Sequence, residues 1–403
     1  MFDEYPRPPY PKTREQADLI DSIRPLLAGF EQRAPLHDRE GSFPVENFTE
    51  LREAGYFGAV VPKEYGGGGH GMVAIVLTQN MIARADASTA YAAGMHMMAV
   101  GSEAASRTWP ESLRARIFKD TVENGALINQ IASEPEMGSP QGGGKPATTM
   151  TPDGDARWRI NGHKTYATLA PVLDYFLTSV SVEDGSDERA RVAIHRDQPG
   201  IRVEETWDSM GLRATGSHDV YFENVPVTDA DVMFRHPAGT SGRFAEQIAS
   251  KRPPGGAGWF ALLVSAAALG TAEAARDYCV EFARTRTPGG LNEPIGKLPV
   301  VREQVGRIEI ELAAARALLF ETAEEWDATE TPLLGPKVAA TKIFVVNQAI
   351  EAVDRCMRLV GGQSLQRSEP LERYYRDVRA PLHNPPIETR GLDMVAAAVL
   401  DTE

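Results

Sequence analysis

Apolar residues recur at helical spacing in the N-terminal part of the chain, at Leu19, Ile20, Ile23, Leu26 and Leu27, and again at Phe48, Leu51 and Ala54. The pattern predicts helices from Glu15 to about Arg116. They are interrupted by Val61-Pro62-Lys63-Glu64-Tyr65 and the glycines Gly66 to Gly69, a loop that feeds an Ala-rich helical stretch over Val73 to Ala105. Near residue 125 the texture changes to short runs bounded by turn residues. Trp158-Arg159-Ile160 and Lys164 to Thr168, separated by Asn161-Gly162, read as a β-hairpin, and Tyr175 to Val182, Val192 to His195 and Val220 to Phe222 read as further strands. Loops are expected at Glu183 to Glu188, Gly239 to Gly242 and Pro253 to Gly256. Helical periodicity returns over Trp259 to Arg284, Val301 to Trp326, Lys337 to Val360 and Gly391 to Leu400. The order predicts an α+β protein: an N-terminal α-helical domain at 1–125, a central antiparallel β-barrel domain at 126–235 and a C-terminal four-helix bundle at 236–403.

Composition narrows the partners. A chain of 403 residues with 42% hydrophobic residues can bury a large core. Its formal net charge of -14 argues against a nucleic-acid backbone or an anionic membrane, both of which reward clustered Lys and Arg, and leaves a small molecule as the default ligand. The two cysteines, Cys279 and Cys356, lie in apolar helical periodicity, where a buried thiol is expected rather than a disulfide or metal ligand. The polar, Pro-rich start shows no basic-then-apolar leader, and apolar runs such as Trp259 to Ala268 are too short to span a bilayer, so a cytoplasmic location is expected. Gly66 to Gly69 lack both the Lys-Ser/Thr ending of a P-loop and the spaced glycines of a dinucleotide fingerprint, and read as a turn.

Five strings occur in a distinctive order. They are Val61-Pro62-Lys63-Glu64-Tyr65-Gly66-Gly67; Ser133-Glu134-Pro135-Glu136-Met137-Gly138-Ser139; Asn161-Gly162-His163-Lys164-Thr165-Tyr166-Ala167-Thr168; Met210-Gly211-Leu212-Arg213-Ala214-Thr215-Gly216-Ser217; and Gly361-Gly362-Gln363 with Arg373-Tyr374-Tyr375-Arg376-Asp377-Val378-Arg379. Together they resemble the acyl-CoA dehydrogenase superfamily across nearly the whole chain. The resemblance implies that family's three-domain fold and a bound flavin, FAD with FMN as the alternative. It implies Tyr166 packed on the flavin ring, Thr168 and Ser133 at its edge, Ser139 at the pyrophosphate, and Arg284 at the cofactor's far end. Alternation along a strand is expected to put Tyr166 and Thr168 on one face. The resemblance also implies a homo-oligomer, dimer or tetramer, with Gly361 and Gly362 near the neighbouring subunit's cofactor.

The chain departs from the family where the chemistry is done. A dehydrogenase of this type removes the proton α to a thioester with a glutamate. Counting eight residues past Asp377 gives Pro385, and Lys251 to Ser265 contain no acid. The family's substrate-tail arginine, counted back from Gly270, is replaced by Ala261. Three readings follow. The first is oxidation of an acyl or acyl-like substrate by hydride transfer to flavin N5, with His383 or Glu388 as base and an electron-transfer partner to reoxidise the flavin. The second is a monooxygenase that works through a flavin hydroperoxide, takes reduced flavin from a separate reductase, and uses His96, His383 and Thr168 around the oxygen. The third is a helical scaffold without catalysis.

Overall fold

The N-terminal helices open on side-chain caps where the sequence offers them. Thr13 accepts the Gln16 N–H at the start of α1 (Arg14–Ile23). After α2 (Leu27–Glu40), α3 (Val45–Glu53) and α4 (Met72–Ala85), Asp86 accepts the N–H groups of Ser88 and Thr89 to start α5 (Ala87–Ser106), and α6 (Glu111–Asn124) completes the set. The computed structural model describes residues 10–136, 145–237, 256–328 and 335–401. The strands are β1 (Ile128–Ile131), β2 (Thr149–Pro152), β3 (Arg157–Ala167), β4 (Tyr175–Val182), β5 (Glu188–His195), β6 (Ile201–Glu204), β7 (His218–Thr228) and β8 (Val232–Pro237). The C-terminal helices are α7 (Gly256–Thr285), α8 (Pro299–Ala328), α9 (Gly335–Val360), α10 (Leu371–Asp377) and α11 (Glu388–Leu400). The loop expected over Gly239 to Gly242, and that at Pro253 up to residue 255, lie outside the described residues.

Within α7, the segment Gly258–Thr285 is long and apolar enough to cross a membrane, yet 94% of its most apolar window is buried, packed by α4, α5, α8 and α9. A helix apolar on every side is a core helix in such surroundings. α4 is its counterpart in the N-terminal domain, with nearly every side chain buried.

The β domain differs from the expected antiparallel barrel. Its strand order is β6-β7-β3-β2-β4-β5-β8, and β1 and β2 both pair with β4 in parallel, β1 along Tyr175 to Thr178 and β2 along Ser181 and Val182. The two short strands thus share one edge of β4 end to end. The hairpin expected at Asn161-Gly162 is also absent: β3 runs through both residues. The register against β7 shifts there, where Ile160 faces Val225 and Gly162 faces Phe222. Gly162 has φ 157°, and a Cβ on it would lie 2.4 Å from the Thr148 hydroxyl, so close approach of Thr148, just before β2, and not a turn, demands the glycine.

Candidate functional site

The resemblance points to the end of β3. Between Lys164, opposite Val220, and Ala167, opposite His218, β3 carries one residue more than β7, a bulge. Tyr166 takes the left-handed conformation there, with φ 54°. The residue is 66% exposed, and its ring meets Trp207 edge-on, the centroids 5.8 Å apart. The bulge overturns the alternation argument. Thr168 lies beyond the strand in a turn, its N–H bonded to the Tyr166 carbonyl at 2.9 Å.

A chain of neutral polar groups starts at Thr168. Its hydroxyl lies 2.8 Å from Ser217 Oγ, which lies 2.8 Å from Thr215 Oγ1. Asn129 on β1 donates from Nδ2 to the Thr168 carbonyl at 2.8 Å, and its Oδ1 is buried with no hydrogen-bond partner among the described residues. A buried amide oxygen left unpaired calls for a donor from outside the protein's own groups. Ser133 sits close by along the backbone, its carbonyl accepting the Thr165 N–H at 2.9 Å. Sequence reasoning missed Asn129 and Trp207. A polar residue inside the apolar run Leu127-Ile128-Asn129 was the available signal for the first; none marked the second.

The remaining predicted residues are not brought to this cluster by any bond among the described residues. His96 is the clearest correction. It is fully buried on α5, with Nδ1 accepting the Ile128 N–H at 3.1 Å and Nε2 lying 3.0 Å from the Phe57 carbonyl. An accepting Nδ1 fixes the neutral tautomer with the proton on Nε2, which donates to Phe57. Burial pushes this histidine down to about 4, so it is a neutral tie between α5 and β1 with no nitrogen left for catalysis. His383 is exposed at the end of the short turn 380–383. Glu388 is exposed at the start of α11, where it accepts from Asn347 at 3.0 Å. Arg284 is exposed near the end of α7, and Gly361 and Gly362 are exposed just past α9. Ser139 lies outside the described residues.

The charged residues of two strings form a structural pair. Glu134 and Lys164, both with fully buried side chains, are ion-paired in the gap between β1 and β2. Lys164 also donates to the Ser179 carbonyl at 2.7 Å. Glu134 accepts from Ala147 N at 2.6 Å, Thr148 N at 3.1 Å and Thr148 Oγ1 at 2.6 Å. Burial alone would push the Glu134 carboxyl up, but Lys164, Thr148 and the Ala147 N–H together hold it below the ordinary carboxylate range. With four donors the glutamate is a strut.

A flavin ring needs a flat apolar surface on one face and hydrogen-bonding groups at its edge. Tyr166 and Trp207 fit the first requirement; Thr168, Ser217 and the unpaired Asn129 oxygen fit the second. Helices, a sheet with these groups, and a second set of helices fit a flavoprotein oxidoreductase. Family models agree along the chain: the acyl-CoA dehydrogenase N-terminal domain over residues 13–122, the middle domain over 129–225 and the C-terminal domain over 256–381. The chain belongs to the acyl-CoA dehydrogenase family. It is 39% identical over 389 residues to YdbM of Bacillus subtilis (strain 168), a protein named provisionally as an acyl-CoA dehydrogenase, with 96% of this chain and 98% of that one covered. It is 30% identical to the L-evernosamine nitrososynthase of a Micromonospora species, covering 92% of this chain and 86% of that one. Among solved structures, KijD3 in complex with FMN and dTDP-3-amino-2,3,6-trideoxy-4-keto-3-methyl-D-glucose superposes with a TM-score of 0.83 at 28% identity, covering 98% of this chain and 95% of that one.

Proposed function

We propose that this protein is a monooxygenase that takes up externally reduced flavin, FMN or FAD, and oxygenates a small amine-bearing substrate. One observation carries the reading. The groups at the candidate site, Asn129, Thr168, Thr215 and Ser217, are all neutral, and no carboxylate bonds to any of them among the described residues. Removing a proton α to a thioester needs a base of matched pKa, which a hydroxyl or an amide does not supply. An amine brings its own lone pair and asks the protein for positioning and hydrogen bonds. The nitrososynthase relatives supply the substrate class, and the FMN in the KijD3 complex supports the cofactor.

Reduced flavin bound here supplies the electrons that activate dioxygen. The chain's own residues then have separate tasks. Tyr166 and Trp207 wall the ring and shed water from it. Thr168, Ser217 and Thr215 form a hydroxyl chain anchored where Thr215 donates to the Leu212 carbonyl, so that Ser217 donates to Thr215, Thr168 donates to Ser217, and the Thr168 oxygen is left to accept a hydrogen bond at the open end. Asn129 fixes the Thr168 backbone with its amide nitrogen and presents its oxygen to an N–H.

Oxidation of an acyl substrate, the alternative reading, is favoured by the 39% identity to YdbM. The test is anaerobic reduction of the flavin-loaded protein. The proposal predicts that a broad panel of acyl-CoAs leaves the flavin oxidised and that turnover of an amino-sugar nucleotide requires oxygen and a flavin reductase. Bleaching by an acyl-CoA without reductase overturns it. We also propose self-association through the C-terminal helices, where Leu392, Val399 and Leu400 on α11 are exposed apolar side chains. Sedimentation as a dimer or tetramer is expected, and sedimentation as a monomer refutes it.

A further inference from the structure

We infer that Asp377 is a positioning residue for the flavin site, acting on the Tyr166–Trp207 wall and on the hydroxyl chain through the peptide of Leu212. The inference rests on the placement of the site proposed above. Asp377 ends α10, is 2% exposed, and accepts the Leu212 N–H with Oδ1 at 2.6 Å. On the other side of the same residue, the Leu212 carbonyl accepts from Trp207 Nε1 at 3.0 Å and from Thr215 Oγ1 at 3.0 Å. Trp207 is the edge against which Tyr166 stands, and Thr215 leads through Ser217 to Thr168. Both halves of the site therefore hang from one residue whose N–H is gripped by a carboxylate from the C-terminal bundle.

That grip is needed. Leu212 has φ 53°, a left-handed conformation that a branched side chain adopts only when its surroundings impose it. The residue before it has no slack: a Cβ on Gly211 would lie 2.6 Å from the Arg376 carbonyl oxygen. Arg376 holds α10 in place, pairing with Asp38 and Glu372 and donating to the Met210 carbonyl at 2.9 Å. Arg213 reaches the Asp38 carbonyl at 2.8 Å. The Met-Gly-Leu-Arg and Arg-Asp strings, far apart in sequence, thus form one clasp whose output is the geometry of Leu212.

Burial pushes the Asp377 carboxyl up to about 7, against the pull of Leu212 N–H, Arg373 and Arg376, so the neutral amide of Asp377→Asn is a close mimic that still offers an oxygen to Leu212. The experiment compares wild type, Asp377→Ala, Asp377→Asn and Tyr166→Leu by two readouts. The first is the aromatic near-ultraviolet circular dichroism of flavin-free protein. The second is FMN affinity, followed by quenching of FMN fluorescence. Asp377→Ala is expected to lose the dichroism component that Tyr166→Leu loses and to bind FMN about tenfold more weakly, the loss of roughly one hydrogen bond. Asp377→Asn is expected to keep both. Wild-type dichroism and affinity in Asp377→Ala, whatever its melting temperature, overturn the inference; so does an Asp377→Asn variant as impaired as the alanine. If wild type binds no FMN, the flavin site itself fails, while the dichroism comparison still decides the role of Asp377.

Discussion

Acidification isolates the role of His96. Its imidazole is neutral in the folded protein and titrates at about 4, against an ordinary value of 6.5. Below 6.5 the unfolded chain takes up a proton that the folded one refuses, so the unfolded state binds more protons. The stability this site contributes is present above pH 6.5 and is lost as pH falls through 4. A difference of about 2.5 at roughly 1.4 kcal/mol per unit gives a total loss on the order of 3 kcal/mol, of which about 2 kcal/mol is gone by pH 5. The assay is urea denaturation of wild type and His96→Gln at pH 7, 6 and 5. Glutamine can donate to Phe57 and accept from Ile128 without titrating, and every other ionisable group is shared by the two proteins. Wild type is expected to lose about 2 kcal/mol more than the variant between pH 7 and pH 5. Equal losses refute the neutral, doubly bonded histidine and return His96 to the catalytic candidates.

Lys164→Met leaves the Glu134 charge buried without its counter-ion and is expected to cost about 3–5 kcal/mol by urea denaturation, with much of the loss recovered in the Glu134→Gln, Lys164→Met double variant; a cost below about 1 kcal/mol contradicts the strut. Gly162→Ala drives a Cβ against Thr148 and is expected to destabilise by about 1–3 kcal/mol, whereas an ordinary hairpin turn would tolerate the change. His383→Ala and Glu388→Ala are expected to leave oxygen-dependent turnover close to wild type, because both side chains are exposed and unconnected to the Asn129–Thr168–Ser217 cluster; loss of turnover in either would restore it as a base.

The elements with local causes were legible in the sequence. β4 was read at its observed limits because an apolar run between turn residues has few other uses, and α7, α8 and α9 followed from their apolar spacing. What failed was set by tertiary contact. Asn161-Gly162 has a hairpin's composition, but the glycine answers to Thr148, which leads into β2. Tyr166 and Thr168 were placed on one face by an alternation that a single bulge cancels. The buried pair of Glu134 and Lys164 lay in the quoted strings, yet nothing local says that the two face each other. Thr215 and Ser217 also stood in a quoted string; their link to Thr168 exists only because β7 returns beside β3.

The most direct test of the central claim is the origin of oxygen in the product. Protein supplied with reduced FMN is mixed with isotopically labelled dioxygen and an amino-sugar nucleotide, and the product is weighed by mass spectrometry. One labelled oxygen atom on the substrate nitrogen is predicted. An unlabelled product, or one formed equally well without dioxygen, contradicts the account.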